Sequence, residues 1–236
     1  MQTGFRLNLN PVKEPLGFIK LVEWFAALFA FGCCSGYSGR NVISLFCGDG
    51  KNETLNVTFA YPFRLNQVLL VKDNVTLCNR TMSATHLIGD SSSSVEFFVA
   101  VGVLAFLYCM FALLVYVGYM HVYRDSDFGP VFDFLVTAAF AFLWLVSSSA
   151  WAQGLQKVKY ATSKEGISAS LKSDIMSEVT DFSSMRTLDI SVVFGFVNLI
   201  IWSGNAWFVY KETCWHSQKR NNSRQETERG RGPGPI

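Results

Sequence analysis

The chain has 236 residues, of which half are hydrophobic and only 16% are charged. Soluble domains carry about 25% charged residues, so the composition argues against an ordinary soluble domain. Six cysteines are too few for a disulfide-dense secreted domain. A formal net charge of +2 gives no chain-wide basic field, and we therefore expect no nucleic-acid partner.

Four apolar runs are long enough to cross a membrane. A hydrocarbon core about 30 Å thick requires roughly 20 apolar residues in a helix, and each run is apolar around its whole circumference. The predicted spans are residues 16–35, 95–119, 131–151 and 190–210. The sequence therefore predicts an all-α membrane protein with one four-helix domain, residues 16–210. A short N-terminal segment, 1–15, precedes it, and a tail of disordered composition, 211–236, follows it.

The orientation of the spans follows from charge and from glycosylation sequons. Lys211, Lys219 and Arg220 come directly after the fourth span, which favours a cytosolic tail. Four spans place both termini on the same side. We therefore predict cytosolic termini and two lumenal loops, residues 36–94 and 152–189.

The first lumenal loop carries the predicted modification sites. Four N-glycosylation sequons begin at Asn52, Asn56, Asn74 and Asn79, and glycans are attached only on the lumenal side. Cys47 and Cys78 lie in the same oxidising loop and are the natural disulfide pair, with two free thiols as the alternative. The loop is also predicted to form a small β-element that is crosslinked by this disulfide. Apolar and polar residues alternate over 55–59, and an apolar run follows at 68–71.

Polar side chains inside the spans are the first place to look for function. Lys20 and Glu23 lie three residues apart on the first helix, which favours a local ion pair with the lysine extended toward the interface. Part of a proton or ion path is the alternative. Gly195, Asn198 and Gly204 in the fourth span are candidate helix-interface residues. Small residues allow helices to approach closely, and an amide can form hydrogen bonds between helices.

No catalytic motif is visible in the sequence. There is no phosphate-binding loop, dinucleotide fingerprint or nucleophile elbow, and the three histidines are too scattered for a zinc site. We therefore expect no enzyme activity, no cofactor and no metal site. Cys214, which follows the fourth span, is a candidate palmitoylation site.

Five segments of the chain resemble the synaptophysin family. They are KEPLGFIK at residues 13–20, YPFRL at 61–65, FLWLVSSSAWA at 142–152, SVVFGF at 191–196 and GNAWFVYKET at 204–213. These segments are long, specific and in the family's order. The resemblance covers about residues 4–216.

The resemblance implies a four-helix MARVEL membrane fold and residence in small transport or secretory vesicles. It also implies three kinds of partner, namely a vesicle SNARE of the synaptobrevin type, further copies of the chain in a homo-oligomer, and cholesterol as a bound lipid. We thus expect a protein that organises vesicle membrane components. An oligomeric channel or transporter is the alternative, and it would require a polar face along a span.

The chain departs from this family in its second lumenal loop. The family usually has a cysteine pair there, whereas residues 157–186 contain no cysteine. We therefore expect this loop either to be held by other contacts or to be mobile.

Overall fold

The structure is a computed structural model that describes residues 14–47, 52–125, 128–171 and 176–213. Its helices are α1 (Pro15–Ser35), α2 (Ser92–Asp125), α3 (Phe128–Ala161), α4 (Lys164–Leu171) and α5 (Arg186–Glu212). All except the short α4 are long and apolar enough to cross a membrane. The predicted all-α fold class with four candidate membrane-spanning helices is therefore confirmed.

Six short strands connect α1 to α2, and a seventh precedes α5. The strands are β1 (Ser38–Phe46), β2 (Asn52–Ala60), β3 (Leu69–Val71), β4 (Val75–Leu77), β5 (Arg80–Met82), β6 (Thr85–His86) and β7 (Met176–Asp181). They form a three-stranded sheet in the order β2-β1-β7 and two pairs, β3-β6 and β4-β5. All paired strands are antiparallel. The predicted β-element is thus present in the first loop.

The helix ends reflect local sequence signals. α2 begins after Asp90, whose side chain accepts a hydrogen bond from the Ser92 backbone N–H (2.9 Å), as at a helix N-terminus. This hydrogen bond lowers the pKa of the Asp90 carboxyl. α3 continues ten residues beyond the end of the predicted span at residue 151. Leu155 and Val158 in this extension are buried, so the apolar face of the helix continues past the span.

The three-stranded sheet has one buried and one open face. β1 and β2 pair without interruption from Ser38 opposite Ala60 to Phe46 opposite Asn52. Side chains alternate between the faces of a strand, and the buried side chains here are all at odd positions. They include Ile43, Leu45, Val57 and Phe59, each at most 2% exposed. The sequence alternation that predicted β2 therefore corresponds to a real two-faced sheet.

The cysteine-free second loop is held by contacts with the first loop. β7 pairs with β1, with Ser44 opposite Glu178. The Asn41 side chain also contacts the chain before and after β7. Its Nδ2 donates a hydrogen bond to the Thr162 carbonyl (3.3 Å), and its Oδ1 accepts one from the Ser183 N–H (2.9 Å). Of the two alternatives left open by the sequence, attachment by other contacts is the one observed.

The chain forms two compact units, and each long helix contributes to both. Of the described residues, the first unit contains those in the ranges 14–27, 104–145 and 197–213. The second unit contains those in the ranges 28–103 and 146–196, including the seven strands found in the described part of the chain.

Tryptophans form the cores of these units. Trp151 of the second unit stacks on Phe63 (5.6 Å between ring centroids) and donates from Nε1 to Ser191 Oγ (2.9 Å). In the first unit, Trp144 and Trp202 are fully buried. Trp207 in the same unit is largely exposed, as expected of an interfacial anchor.

Candidate functional site: a buried charged cluster

Charged and polar side chains from four helices meet inside the first unit. We call this group the charged cluster. It consists of Lys20 and Glu23 on α1, Tyr108 and Tyr116 on α2, Asp133 and Thr137 on α3, and Asn205 on α5.

Helical spacing explains how each helix presents these side chains together. Residues three or four positions apart lie on the same helix face. Lys20 and Glu23 are three apart, Asp133 and Thr137 are four apart, and two such steps separate Tyr108 from Tyr116. The cluster residues lie near the beginning of α1 and α3 and toward the end of α2 and α5, so successive long helices run in opposite directions here.

Lys20 is the cation of the cluster. Its Nζ lies 3.1 Å from Glu23 Oε2 and 3.6 Å from Asp133 Oδ1, and it donates to Thr137 Oγ1 at 3.3 Å. The predicted ion pair with Glu23 is present, but the expected extension of Lys20 toward the interface is wrong, because its side chain is fully buried. The carboxylate of Asp133, on another helix, provides a second buried partner.

The two carboxyl groups have different hydrogen-bond partners. Asp133 accepts hydrogen bonds from the hydroxyls of Tyr108 (2.5 Å), Tyr116 and Thr137 (3.2 Å). Glu23 accepts from Asn205 Nδ2 at 2.8 Å. Hydrogen bonds of this kind favour the ionised form of a carboxyl group. Each carboxyl group therefore accepts a hydrogen bond from a side chain on another helix.

Aromatic rings enclose the lysine. Lys20 Nζ lies 4.9 Å from the centroid of the Tyr108 ring and 4.8 Å from that of Trp202, within the range of cation–π attraction. These rings exclude water from the ion pairs. Two polar atoms beside the cluster, Trp202 Nε1 and Asn205 Oδ1, are buried without a hydrogen-bond partner.

The cluster contains more carboxyl groups than ammonium groups. One ammonium group, that of Lys20, faces two carboxyl groups, those of Glu23 and Asp133. Within the described residues, no group of three or more His, Cys, Asp and Glu side chains could hold a metal ion.

A small groove lies between α2 and the beginning of α3 in the first unit, beside the charged cluster. Its volume is about 150 Å³. It is lined by α2 and the beginning of α3, through Tyr108, Phe111, Ala112, Val115, Tyr116, Gly129, Phe132 and Asp133. Phe111 and Phe132 are exposed at the surface, whereas Asp133 is only 5% exposed. The surface of the groove is therefore almost entirely apolar.

The three candidate interface residues of α5 lie in different surroundings. Gly195 is buried, and a Cβ atom there would lie 2.8 Å from Phe98 Cε2 and closer still to Ser148 Oγ. Gly204 has no heavy atom near the position of a Cβ. Asn198 is fully buried. Gly195 therefore packs inside the chain, and Gly204 alone leaves open space beside α5.

Replacing Gly195 by leucine should destabilise the protein by about 1–3 kcal/mol or more, the usual cost of overpacking a core. The matched Gly204→Leu variant should change the stability little, because its side chain enters open space. Thermal unfolding of both purified variants in the same detergent measures the difference. Equal unfolding temperatures would contradict the internal packing of Gly195.

The predicted sites of the first loop lie in the second unit. Cys47 and Cys78 form a disulfide with Cα atoms 5.0 Å apart. Three of the sequon asparagines, Asn56, Asn74 and Asn79, are exposed. Asn52 begins β2, but its side chain lies outside the described residues. The candidate palmitoylation site, Cys214, and the tail after it also lie outside them.

Sequence reasoning identified Lys20 and Glu23 and missed the other five members of the cluster, which are Tyr108, Tyr116, Asp133, Thr137 and Asn205. Asp133 lies close to the beginning of the third predicted span, and single hydroxyl or amide side chains do not stand out in an apolar helix. The signal that could have found them is an acidic residue inside an apolar run, opposite a helix with hydroxyl groups eight residues apart. Such a residue requires a buried partner.

Comparison with known protein families gives one result. The family model of MARVEL, described as a membrane-associating domain, matches residues 11–208. This match covers three of the four candidate membrane-spanning helices completely, all but the last three residues of the fourth, and every residue of the charged cluster.

Proposed function

We propose a function on the basis of family membership, since this chain belongs to the MARVEL family of membrane-associating domains. It is a membrane-associated protein with four candidate membrane-spanning helices. Within that family we assign it to the synaptophysin group on the five segments it shares with that group. Residues 4–20, GFRLNLNPVKEPLGFIK, favour pantophysin, the synaptophysin-like protein of non-neuronal tissues.

The proposed role is to organise the membrane of small transport or secretory vesicles, without enzymatic activity. The chain would bind a vesicle SNARE of the synaptobrevin type, associate with further copies of itself, and contact cholesterol. The family match over residues 11–208, together with the shared segments, carries this proposal. The segment YPFRL supports it from the structure, because Phe63 stacks on Trp151 of another shared segment.

The face of α5 around Gly204 is the surface we propose for a partner helix. Ile200 and Trp207 lie on either side of Gly204 and are 71% and 59% exposed, and Gly204 leaves room between them. Small residues flanked by large apolar ones allow two helices to approach closely in a membrane. Gly195 is not part of this surface, since it packs within the chain.

Affinity isolation of the tagged full-length protein, first on intact vesicles and then after mild detergent, tests this role. We expect a vesicle SNARE to remain bound and the native mass to be that of an oligomer. Gly204→Leu should reduce the recovery of the SNARE or of the oligomer. Phe142→Leu, which changes an exposed side chain on α3, is the control and should not. A monomer without partners, isolated from vesicles that contain the SNARE, would contradict the proposal.

We propose that both termini are cytosolic and that the strands are lumenal. The exposed positions of Asn56, Asn74 and Asn79 support this orientation, because a glycan can be accommodated at each of them. Glycosidase treatment of the protein from mammalian cells should increase its mobility. Substituting these three residues by glutamine should remove part or all of that shift. Asn221→Gln, which removes the Asn221-Asn222-Ser223 sequon of the tail, should leave it unchanged. No shift in the unmodified protein would contradict the orientation.

A channel or transporter remains the second candidate function, and the charged cluster is the observation that favours it. Charged groups on two helices, Lys20 and Glu23 on α1 and Asp133 on α3, lie together inside the first unit. Their mutual pairing and the surrounding rings favour a fixed structural group over a path for ions. Reconstitution into liposomes should therefore give no ion flux, and a flux that is lost in Glu23→Gln would support the channel instead.

A further inference from the structure

One sequon of the first loop begins in a tight turn beside the disulfide. β4 and β5 pair as far as Leu77 opposite Arg80. Cys78 and Asn79 are therefore the two residues of the hairpin turn. Their φ angles are positive, 51° and 61°, as a type I′ turn requires at both central residues. The acceptor asparagine of this sequon thus has a backbone conformation that is fixed by the turn.

Two kinds of contact hold this sequon in place. Its second and third residues belong to β5, where Thr81 lies opposite Thr76. The disulfide joins Cys78, directly before Asn79, to Cys47 at the end of β1, and their Cα atoms are 5.0 Å apart. Asn79 can leave the turn only if the pairing of β4 with β5 is lost, and the crosslink opposes that loss.

The sequon at Asn56 presents its side chains differently. Asn56 and Thr58 both lie on β2 and are exposed, and side chains two positions apart on a strand point to the same face. The acceptor amide and the hydroxyl that define a sequon are therefore side by side on the open face of the sheet. At Asn79 the turn interrupts this alternation, so Asn79 and Thr81 are not neighbours on one strand face.

The order of the residues along the chain separates the sequons further. A loop that enters the lumen from its N-terminal end exposes Asn52, Asn56 and Asn74 before Cys78 arrives. These three sequons can be modified before the crosslink is able to form. Asn79 follows Cys78 directly, so its modification and the formation of the disulfide compete during the same interval.

We propose that formation of the Cys47–Cys78 disulfide closes the Asn79 sequon to N-glycosylation and leaves Asn79 incompletely glycosylated in the mature protein. The inference rests on the lumenal orientation of the strands proposed above. Asn79 is exposed in the crosslinked chain, so a glycan attached before the disulfide forms is accommodated. The competition therefore acts on the transfer of the glycan and not on its retention.

Both competing reactions are ordinary lumenal chemistry. In the transfer, the amide nitrogen of Asn79 attacks the anomeric carbon of a lipid-pyrophosphate-linked oligosaccharide. A C–N bond forms, the bond from that carbon to the pyrophosphate oxygen breaks, and one amide proton is released. In the oxidation, the two cysteine thiols lose two protons and two electrons to the disulfide of a lumenal thiol oxidoreductase, which becomes a dithiol.

The test measures the fraction of Asn79 that carries a glycan in the full-length protein from mammalian cells. Enzymatic release of the glycans in heavy-oxygen water marks each occupied asparagine for mass spectrometry. Cys47→Ser removes the disulfide and leaves the sequon and its neighbours unchanged. We expect this variant to raise the occupancy of Asn79 by about twofold or more, because the competing oxidation is absent, and to leave that of Asn56 unchanged. Full occupancy of Asn79 in the wild type, or the same occupancy in both proteins, would overturn the proposal.

Two controls separate the crosslink from other effects of the substitution. Cys33→Ser removes a cysteine that has no disulfide and should leave the occupancy of Asn79 at the wild-type value. Brief treatment of the cells with dithiothreitol should raise the occupancy in newly made wild-type chains, whose sequence is unaltered, and should add nothing in Cys47→Ser. A further rise in the treated Cys47→Ser protein would assign the effect to another cause and overturn the proposal.

The occupancy of Asn56 distinguishes a failure of this inference from a failure of the proposed orientation. If the strands are cytosolic, neither Asn56 nor Asn79 carries a glycan in any sample, and the orientation is wrong. If Asn56 is glycosylated while Asn79 does not respond to loss of the disulfide, the orientation stands and only the competition is wrong.

Discussion

Replacing Lys20 by methionine is expected to destabilise the protein by about 3–5 kcal/mol, the cost of removing one partner of a buried ion pair. The substitution leaves Glu23 and Asp133 without their common cation, and both carboxyl groups are almost completely buried. Methionine retains much of the volume of the lysine stem, so the loss is electrostatic rather than one of packing. The apparent free energy of unfolding in detergent micelles measures the effect.

Two comparisons separate this effect from a general loss of charge. Lys159→Met breaks an exposed pair with Asp189 and should cost no more than about 1 kcal/mol. The double variant Lys20→Met, Glu23→Gln removes one charge of each sign from the cluster and should recover part of the stability lost in Lys20→Met. A Lys20→Met protein as stable as the wild type would show that the cluster does not stabilise the fold.

The helices of this protein could be predicted because membrane-spanning helices are specified locally. A run of about 20 apolar residues satisfies its own backbone hydrogen bonds, so length and composition alone identify it. The disulfide could be predicted for a similar reason, since Cys47 and Cys78 are the only two cysteines between the first and second predicted spans. Neither inference requires knowledge of which side chains meet in three dimensions.

The charged cluster and the strand β7 could not be predicted in this way, because both depend on contacts between distant segments. Lys20 and Asp133 are 113 positions apart in the sequence, and only the packing of α1 against α3 brings them together. β7 is a polar strand of six residues, and it pairs with β1, which lies far earlier in the sequence. Its sequence alone does not distinguish it from a loop.

The disulfide between Cys47 and Cys78 should contribute most to the small elements of the first loop. It joins the end of β1 to the turn between β4 and β5 and encloses 31 positions of sequence. The chain-entropy relation gives roughly 3–4 kcal/mol for a loop of this length. Replacing both cysteines by serine should reduce the apparent free energy of unfolding of the first-loop strands by about that amount. Cys33→Ser, at a cysteine without a disulfide, is the matched control.

The loss of stability should be confined to part of the loop. The strands that the disulfide connects differ in how strongly their other contacts hold them in place. β1 and β2 form nine continuous pairs, and their buried side chains hold them together without the crosslink. β4 and β5 are three residues each, and an isolated hairpin of that size is at best marginally stable. Hydrogen exchange should therefore become faster in β4 and β5 and remain slow in β1 and β2. Uniform acceleration across all four strands would show instead that the disulfide supports the whole sheet, and unchanged exchange in β4 and β5 would show that packing alone holds them.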